Sequence, residues 1–295
     1  MTYEIIVLLK NNSTIIYREV KMKKIKIVTD STSYISKEYV EKENISVVPL
    51  NYIFGGETYK EGFKGEFDDF FRRLESTDLF PTTSQPAVGD FYQVFDDALK
   101  EYDEIVVILI SSKLSGTYNS AVLARELLEE RRISIIDSNT SASNLRYLVE
   151  DAVEMAKEGK SSEEIVDHIM SKKDKMKVYL TTGSLEYLSR GGRLSSLQST
   201  LGNLLNIKPI IELKDGELEL LEKLRGKSKA VSKIVSFINK DVEKIGICHI
   251  LNLDEAIRFK LQLEELFPQA LISIDDLGPV VGSHLGPKTL GICFY

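Results

Sequence analysis

Tryptophan is absent from this chain, and cysteine, histidine and proline are scarce, at two, three and seven residues in 295. The two cysteines, Cys248 and Cys293, form no CxxC motif and cannot build a disulfide framework, so they read as reduced core thiols of a cytosolic protein. His249 follows Cys248 directly, but neighbours on a strand point to opposite faces, which separates thiol from imidazole. His168, His249 and His284 have no Cys, Asp or Glu at metal-ligand spacing, and no metal is expected. No apolar run approaches the ~18 residues of a membrane span, so stable membrane insertion is not expected. The opening Met1–Lys10 has no basic leader, and its apolar run is only Ile5–Leu9, which argues against a signal peptide and for a cytoplasmic address. Basic runs interleaved with aromatics are also missing. With a net charge of -7 and a pI near 5.3, nucleic acid is not the expected partner. Neither GxxxxGK[ST] nor GxGxxG occurs, and neither does the GxSxG nucleophile elbow.

What is present is a hydrophobic fraction of 43 %, enough for a substantial core, arranged in alternating strand and helix patterns. Ile25–Asp30 predicts a first buried strand, and Ser31-Thr32-Ser33 then caps a helix to about Glu43. Val47–Leu50 predicts a second strand. Helices follow at about Phe67–Leu74 and Val88–Lys100, with a loop at Thr83–Pro86 between them. The β-branched run Ile105–Ile110 predicts a strand covered on both faces. A helix over about Thr117–Glu130 and a strand at Ile133–Asp137 complete a βαβα pattern, which argues for a parallel sheet with helices on both sides.

Two helices broken at Gly159 fill Ala142–Lys173. Beyond them come a strand at Val178–Leu180, an apolar helix near Leu197–Leu205, and a hairpin of Ile207–Leu213 and Leu218–Leu224 turned at Lys214-Asp215-Gly216. Helices at Ser228–Ile238 and Asp254–Leu266 alternate with strands at Ile245–Ile250, Leu271–Ile274 and Gly291–Phe294. The fold class is α/β, with two α/β lobes: about 22–172, parallel-rich, and about 173–295, mixed. Residues 1–21 precede a natural start at Met22 and read equally as an added hairpin around Asn11–Ser13 or as an unused upstream start.

Three distant segments share one chemistry. Thr83-Ser84-Gln85-Pro86 places hydroxyls and backbone N–H groups before a helix, which suits an anionic oxygen, although simple capping would explain it too. Leu114-Ser115-Gly116-Thr117 follows the most hydrophobic strand, at the sheet edge where open α/β folds bind ligands, and Gly116 permits close backbone approach. His284 lies in a glycine- and proline-rich loop. Arg190-Gly191-Gly192-Arg193 and Arg225 add guanidiniums suited to phosphate or carboxylate, or else form solvated turns. Together the segments can hold an anionic head group and carry little that breaks a bond.

In this order the segments resemble the DegV family, proteins similar to the fatty-acid-binding subunits of bacterial fatty acid kinase. The resemblance covers about Lys24–Phe294. It rests on Ile27–Thr32, Val48-Pro49-Leu50, Thr83–Pro86, Leu114–Asn119, Ile136-Asp137-Ser138, Gly191–Leu194, Gly202–Leu205 with Ile207–Ile210, and Ser283–Gly286. It implies a long-chain fatty acid buried between the lobes, and no cofactor. Thr83 and Ser115 would hold its carboxylate, Ser84, Gly116 and Thr117 would add donors, and His284 would lie near the head group. Arg193 and Arg225 would meet phosphate or a separate kinase that makes the acyl phosphate for phospholipid synthesis. A wall of Leu201, Leu204, Leu205 and Ile207 is one candidate for the tail slot. Burying roughly 14 methylenes at ~0.8 kcal/mol each gives on the order of 11 kcal/mol before ordering costs, so the tail should dominate affinity and the hydroxyls selectivity. Two features depart from the family: the extension 1–21, and Lys288, where a small residue, often glycine, is usual. The alternatives are a lipid or acyl hydrolase using Ser115 with His284, and a lipid-sensing regulator.

Overall fold

The computed structural model describes residues 3–10, 14–21, 23–194 and 207–295. Strands β1 (Tyr3–Lys10) and β2 (Thr14–Lys21) pair antiparallel, from Tyr3↔Lys21 to Lys10↔Thr14.

The first lobe begins with β3 (Ile25–Asp30). The single helix expected from Ser31 to Glu43 is not formed. Ser31–Ser33 make one 3-10 turn, Tyr34 ends it at φ 47°, and Ser36 starts α1 (Lys37–Lys42) afresh, its Oγ accepting from Tyr39 N at 3.2 Å. After β4 (Ser46–Val48) come β5 (Asn51–Phe54) and β6 (Glu57–Lys60), a hairpin turned by Gly55 and Gly56 at φ 65° and 86°. Then follow α2 (Asp68–Ser76), β7 (Thr82–Ser84), α3 (Val88–Leu99), β8 (Glu104–Leu109), α4 (Thr117–Leu127), β9 (Ile133–Asp137), α5 (Ala142–Lys157) and α6 (Ser162–Lys173).

The main sheet runs β4-β3-β8-β9, all parallel. A small antiparallel sheet, β6-β5-β7, was not anticipated; it turns the expected Thr83 loop into a strand, with Tyr52 opposite Thr83. Its strands span only three or four residues, too few for a period-2 pattern to register. The parallel sheet is buried on both faces: Phe91 and Phe95 of α3 cover one, and Leu145, Leu148, Ile165 and Ile169 of α5 and α6 cover the other.

The second lobe contains β10 (Lys177–Thr181), α7 (Glu186–Gly191), β11 (Ile207–Lys214), β12 (Glu217–Arg225), α8 (Lys227–Val235), β13 (Lys244–Ile250), α9 (Leu253–Leu266), β14 (Leu271–Asp276), α10 (Pro279–Leu285) and β15 (Thr289–Phe294). Its sheet has the order β12-β11-β10-β15-β13-β14; β13 and β14 are parallel and every other pair is antiparallel. Period-2 alternation assigns the faces. Ile245, Ile247, Leu290 and Ile292 belong to the core under α8 and α9, whereas Cys248, Ile250 and Cys293 belong to the core facing α2, α10 and the first lobe. The helix expected near Leu197–Leu205 lies outside the described residues.

The lobes are tied by polar contacts. Ser143 Oγ of α5 donates to Asp275 Oδ2 at 2.6 Å, beside the Arg146–Asp275 ion pair, also 2.6 Å. The β11–β12 turn reaches back to the first lobe, where Ser111 Oγ donates to Gly216 O at 2.8 Å.

Candidate functional site

A cavity of about 260 Å³ lies between the lobes. One part of its lining is polar: Thr83, Ser84, Gln85, Ser115, Gly116, Arg193 and His284. Most of the rest is apolar, including Leu50, Val178, Leu180, Leu213, Leu218 and Leu285, with the thiols Cys248 and Cys293. The volume is near the lower edge of the ~300–1,000 Å³ typical of ligand pockets. Of the proposed tail wall, Ile207 is half-buried and does not line this cavity, while Leu201, Leu204 and Leu205 lie outside the described residues.

Strand β7 carries Thr83 to the cavity, and the turn after β8 carries Ser115. His284 arrives on α10, a short helix rather than the expected loop. Pro279 occupies its first turn, where a missing N–H costs nothing, and Gly286 closes it at φ 73°. Thr83 Oγ1 lies 2.7 Å from His284 Nε2, and Ser115 Oγ lies 2.8 Å from Thr117 Oγ1. Thr117 is fully buried and outside the lining, so it backs Ser115 instead of facing the cavity; its N–H also donates to Ser115 Oγ at 3.3 Å. When His284 Nε2–H donates to Thr83 and the Thr117 hydroxyl donates to Ser115, both cavity hydroxyls keep their own protons free to donate.

Burial pushes the His284 pKa down to about 4, and the charge of Arg193 acts in the same direction, so the imidazole is neutral near pH 7. Its Nδ1 is buried without a hydrogen-bond partner among the described residues. Gly191 makes room for this ring, because a Cβ there would lie 2.3 Å from Nδ1. The sequence signal for this close approach is the Gly191-Gly192 pair.

The Arg193 guanidinium is half-buried and lines the cavity. Its hydrogen bonds among the described residues go to two backbone carbonyls, Nε to Leu114 O at 3.3 Å and an Nη to Gly191 O at 2.5 Å. Carbonyls orient the cation without neutralising it, which leaves a positive charge for an anion. Arg225 ends β12 on the exposed surface and does not line the cavity. Gln85 joins the lining from the sequence motif without having been singled out; a Cβ on Gly116 would meet its Oε1 at 2.2 Å.

Cys248 Sγ lies 3.7 Å from Cys293 Sγ and 3.1 Å from Ser143 Oγ. On the opposite face of β13, His249 Nε2 lies 2.8 Å from Asp276 Oδ1, so thiol and imidazole do not meet. Among the described residues no cluster of His, Cys, Asp and Glu could hold a metal, and no helix is long and apolar enough to cross a membrane.

The family profile described as "Uncharacterised protein, DegV family" matches residues 24–295. The chain belongs to the DegV family. The resemblance read from the short motifs is therefore borne out, and the hairpin β1–β2 falls outside the family match. A DegV domain-containing protein of Listeria monocytogenes is 38 % identical over 280 residues, covering 91 % of this chain and 97 % of the relative. The crystal structure of DegV from Bacillus subtilis, described as a fatty acid binding protein, superposes with a TM-score of 0.83 at 33 % identity, covering 92 % of this chain and 99 % of that one. A stearic-acid-binding protein from Eubacterium ventriosum superposes at 0.81 with 30 % identity, covering 92 % and 97 %. The two-lobed α/β architecture of the DegV family is thus the fold of this chain.

Proposed function

We propose that this protein binds one long-chain free fatty acid in the interlobe cavity. The observation carrying this reading is Arg193: a half-buried guanidinium whose hydrogen bonds among the described residues go to backbone carbonyls, on the same cavity as the Thr83 and Ser115 hydroxyls. Thr83 and Ser115 each donate to one carboxylate oxygen, and Arg193 supplies the countercharge. Ser84 and Gly116 complete the polar rim, Thr117 sets the Ser115 rotor, and neutral His284 sets that of Thr83. The apolar remainder of the cavity takes the acyl chain. The fatty acids named for the Bacillus subtilis and Eubacterium ventriosum proteins support this ligand class.

The finer reading is a cytoplasmic carrier that presents the carboxylate to a separate kinase and does not itself catalyse. Exposed Arg225 would meet that partner or its phosphates. Burial lowers the Lys208 pKa, with further lowering from the nearby charges of Lys227 and Lys288, which marks a concentration of positive charge suited to the same role. The hydrolase alternative finds less support: His284 bonds Thr83, not Ser115, and among the described residues no carboxylate orients its Nδ1.

The test is to denature the purified protein and identify the released small molecule by mass spectrometry. A stoichiometric free fatty acid is expected. No lipid, and none taken up from a range of fatty acids, would overturn the proposal. Acyl phosphate formation with a fatty acid kinase and ATP then separates carrier from sensor.

A further inference from the structure

Glu61 lies just after β6 and is 3 % exposed. Its carboxylate is held by hydrogen-bond donors from both lobes. Ser31 Oγ donates to Oε2 at 2.6 Å, Val280 N to Oε1 at 2.8 Å, and Tyr34 OH to Oε1 at 3.4 Å. Pro279 has no N–H, so the Val280 amide is the first that α10 can offer. Val280 and His284 are four residues apart, one above the other on a helix face and about 6 Å apart along its axis. The contact is closely fitted. A Cβ on Gly278, the residue before α10, would lie 2.6 Å from Glu61 Oε1 and 2.8 Å from Phe67 Cζ. Ser31 Oγ also accepts from Leu50 N at 3.1 Å, and Glu61 N donates to Leu50 O at 2.8 Å, so the carboxylate is fixed to a residue of the cavity wall.

We propose that Glu61 is the positioning residue of the head-group site: from the first lobe it clasps α10 at Val280 N–H and thereby sets the reach of His284 to Thr83. A buried carboxylate is costly unless donors satisfy it, and here the donors include the backbone of the helix whose placement matters. The consequence for ligand selectivity rests on the fatty-acid reading above; the clasp itself does not.

The experiment compares wild type, Glu61→Gln and Glu61→Leu as full-length, delipidated proteins. The first readout is amide hydrogen exchange over 279–286, and the second is relative affinity for stearic acid and stearyl alcohol. Gln retains a carbonyl acceptor for Val280 N–H and should match wild type in both. Leu should speed exchange over 279–286 by about tenfold or more and shrink the preference for acid over alcohol by a similar factor. Unchanged exchange in Glu61→Leu overturns the clasp. Faster exchange with unchanged acid preference overturns the positioning role. If wild type takes up neither ligand, the fatty-acid reading fails and exchange alone decides the clasp. Should Glu61→Leu not fold, Glu61→Asp, whose carboxylate is drawn back by one methylene, is read in the same two ways.

Discussion

Thr83 Oγ1 and His284 Nε2 stand 2.7 Å apart although 201 positions separate them in the chain. The contact joins a three-residue strand of one lobe to the last turn of a short helix in the other. Because burial keeps the imidazole neutral, one ring nitrogen carries a proton and the other does not. A Thr83 hydroxyl that donates to a carboxylate must accept from Nε2–H, which leaves Nδ1 as the bare nitrogen. In that arrangement His284 would set the direction of one hydroxyl without carrying charge.

Removing the two cavity hydroxyls should weaken the hold on an acid and spare the hold on its tail. Each hydrogen bond to a charged group contributes ~1.5–3 kcal/mol. Thr83→Val or Ser115→Ala should lower fatty-acid affinity by roughly 10- to 100-fold, and the double variant should fall further. Affinity for the alcohol of the same chain length should change little. Competition binding checks this, and equal losses for acid and alcohol would contradict the assignment.

Gly191→Ala should mimic loss of His284. The new Cβ would sit 2.3 Å from Nδ1 of a buried ring and force it off Thr83. Gly116→Ala meets the end of the Gln85 side chain, which can swing away. The first substitution should cost about tenfold or more in acid affinity and the second much less. Titration calorimetry on the two variants decides the order.

The pH dependence of stability should contain opposing contributions. His284 has a folded pKa of about 4, below its ordinary 6.5, so its contribution is complete above pH 6.5 and is lost as pH falls through 4. Burial raises Glu61 to about 7 and Asp30 to about 6, so their contributions are complete below their ordinary carboxylate values and are lost as pH rises through 7 and 6. Denaturant unfolding across pH 4–8 should show Glu61→Gln gaining on wild type as pH rises, and His284→Gln gaining as it falls.

Lys288 holds a backbone conformation better suited to glycine. Its φ is 62°, in the left-handed region that glycine enters freely and other residues enter at ~1–2 kcal/mol. Part of this is offset by the greater entropy glycine loses on folding. Lys288→Gly should raise stability by about 0.5–1 kcal/mol, visible as a higher Tm. It also removes one of the charges near Lys208, so reduced turnover with a kinase partner would assign that charge to docking.

The sequence alone determined the elements whose signal is local. Ile105–Ile110 is apolar throughout because both faces of its strand are covered, and Asp215-Gly216 adopts φ 49° and 85° because a two-residue hairpin turn demands it. The motif residues Thr83, Ser115, Arg193 and His284 were legible as chemistry, and the family from their order. Tertiary structure alone decided which of them meet. It paired Thr83 with His284, placed Thr117 behind Ser115, moved Arg225 away from the cavity, and gave the empty side of Gly191 to an imidazole. Nothing near Glu61 announces its contact with Val280, 219 positions later. Hydrophobic periodicity and turn chemistry act over a few residues, whereas these contacts arise only when two lobes, each folded by its own core, bring their inner faces together.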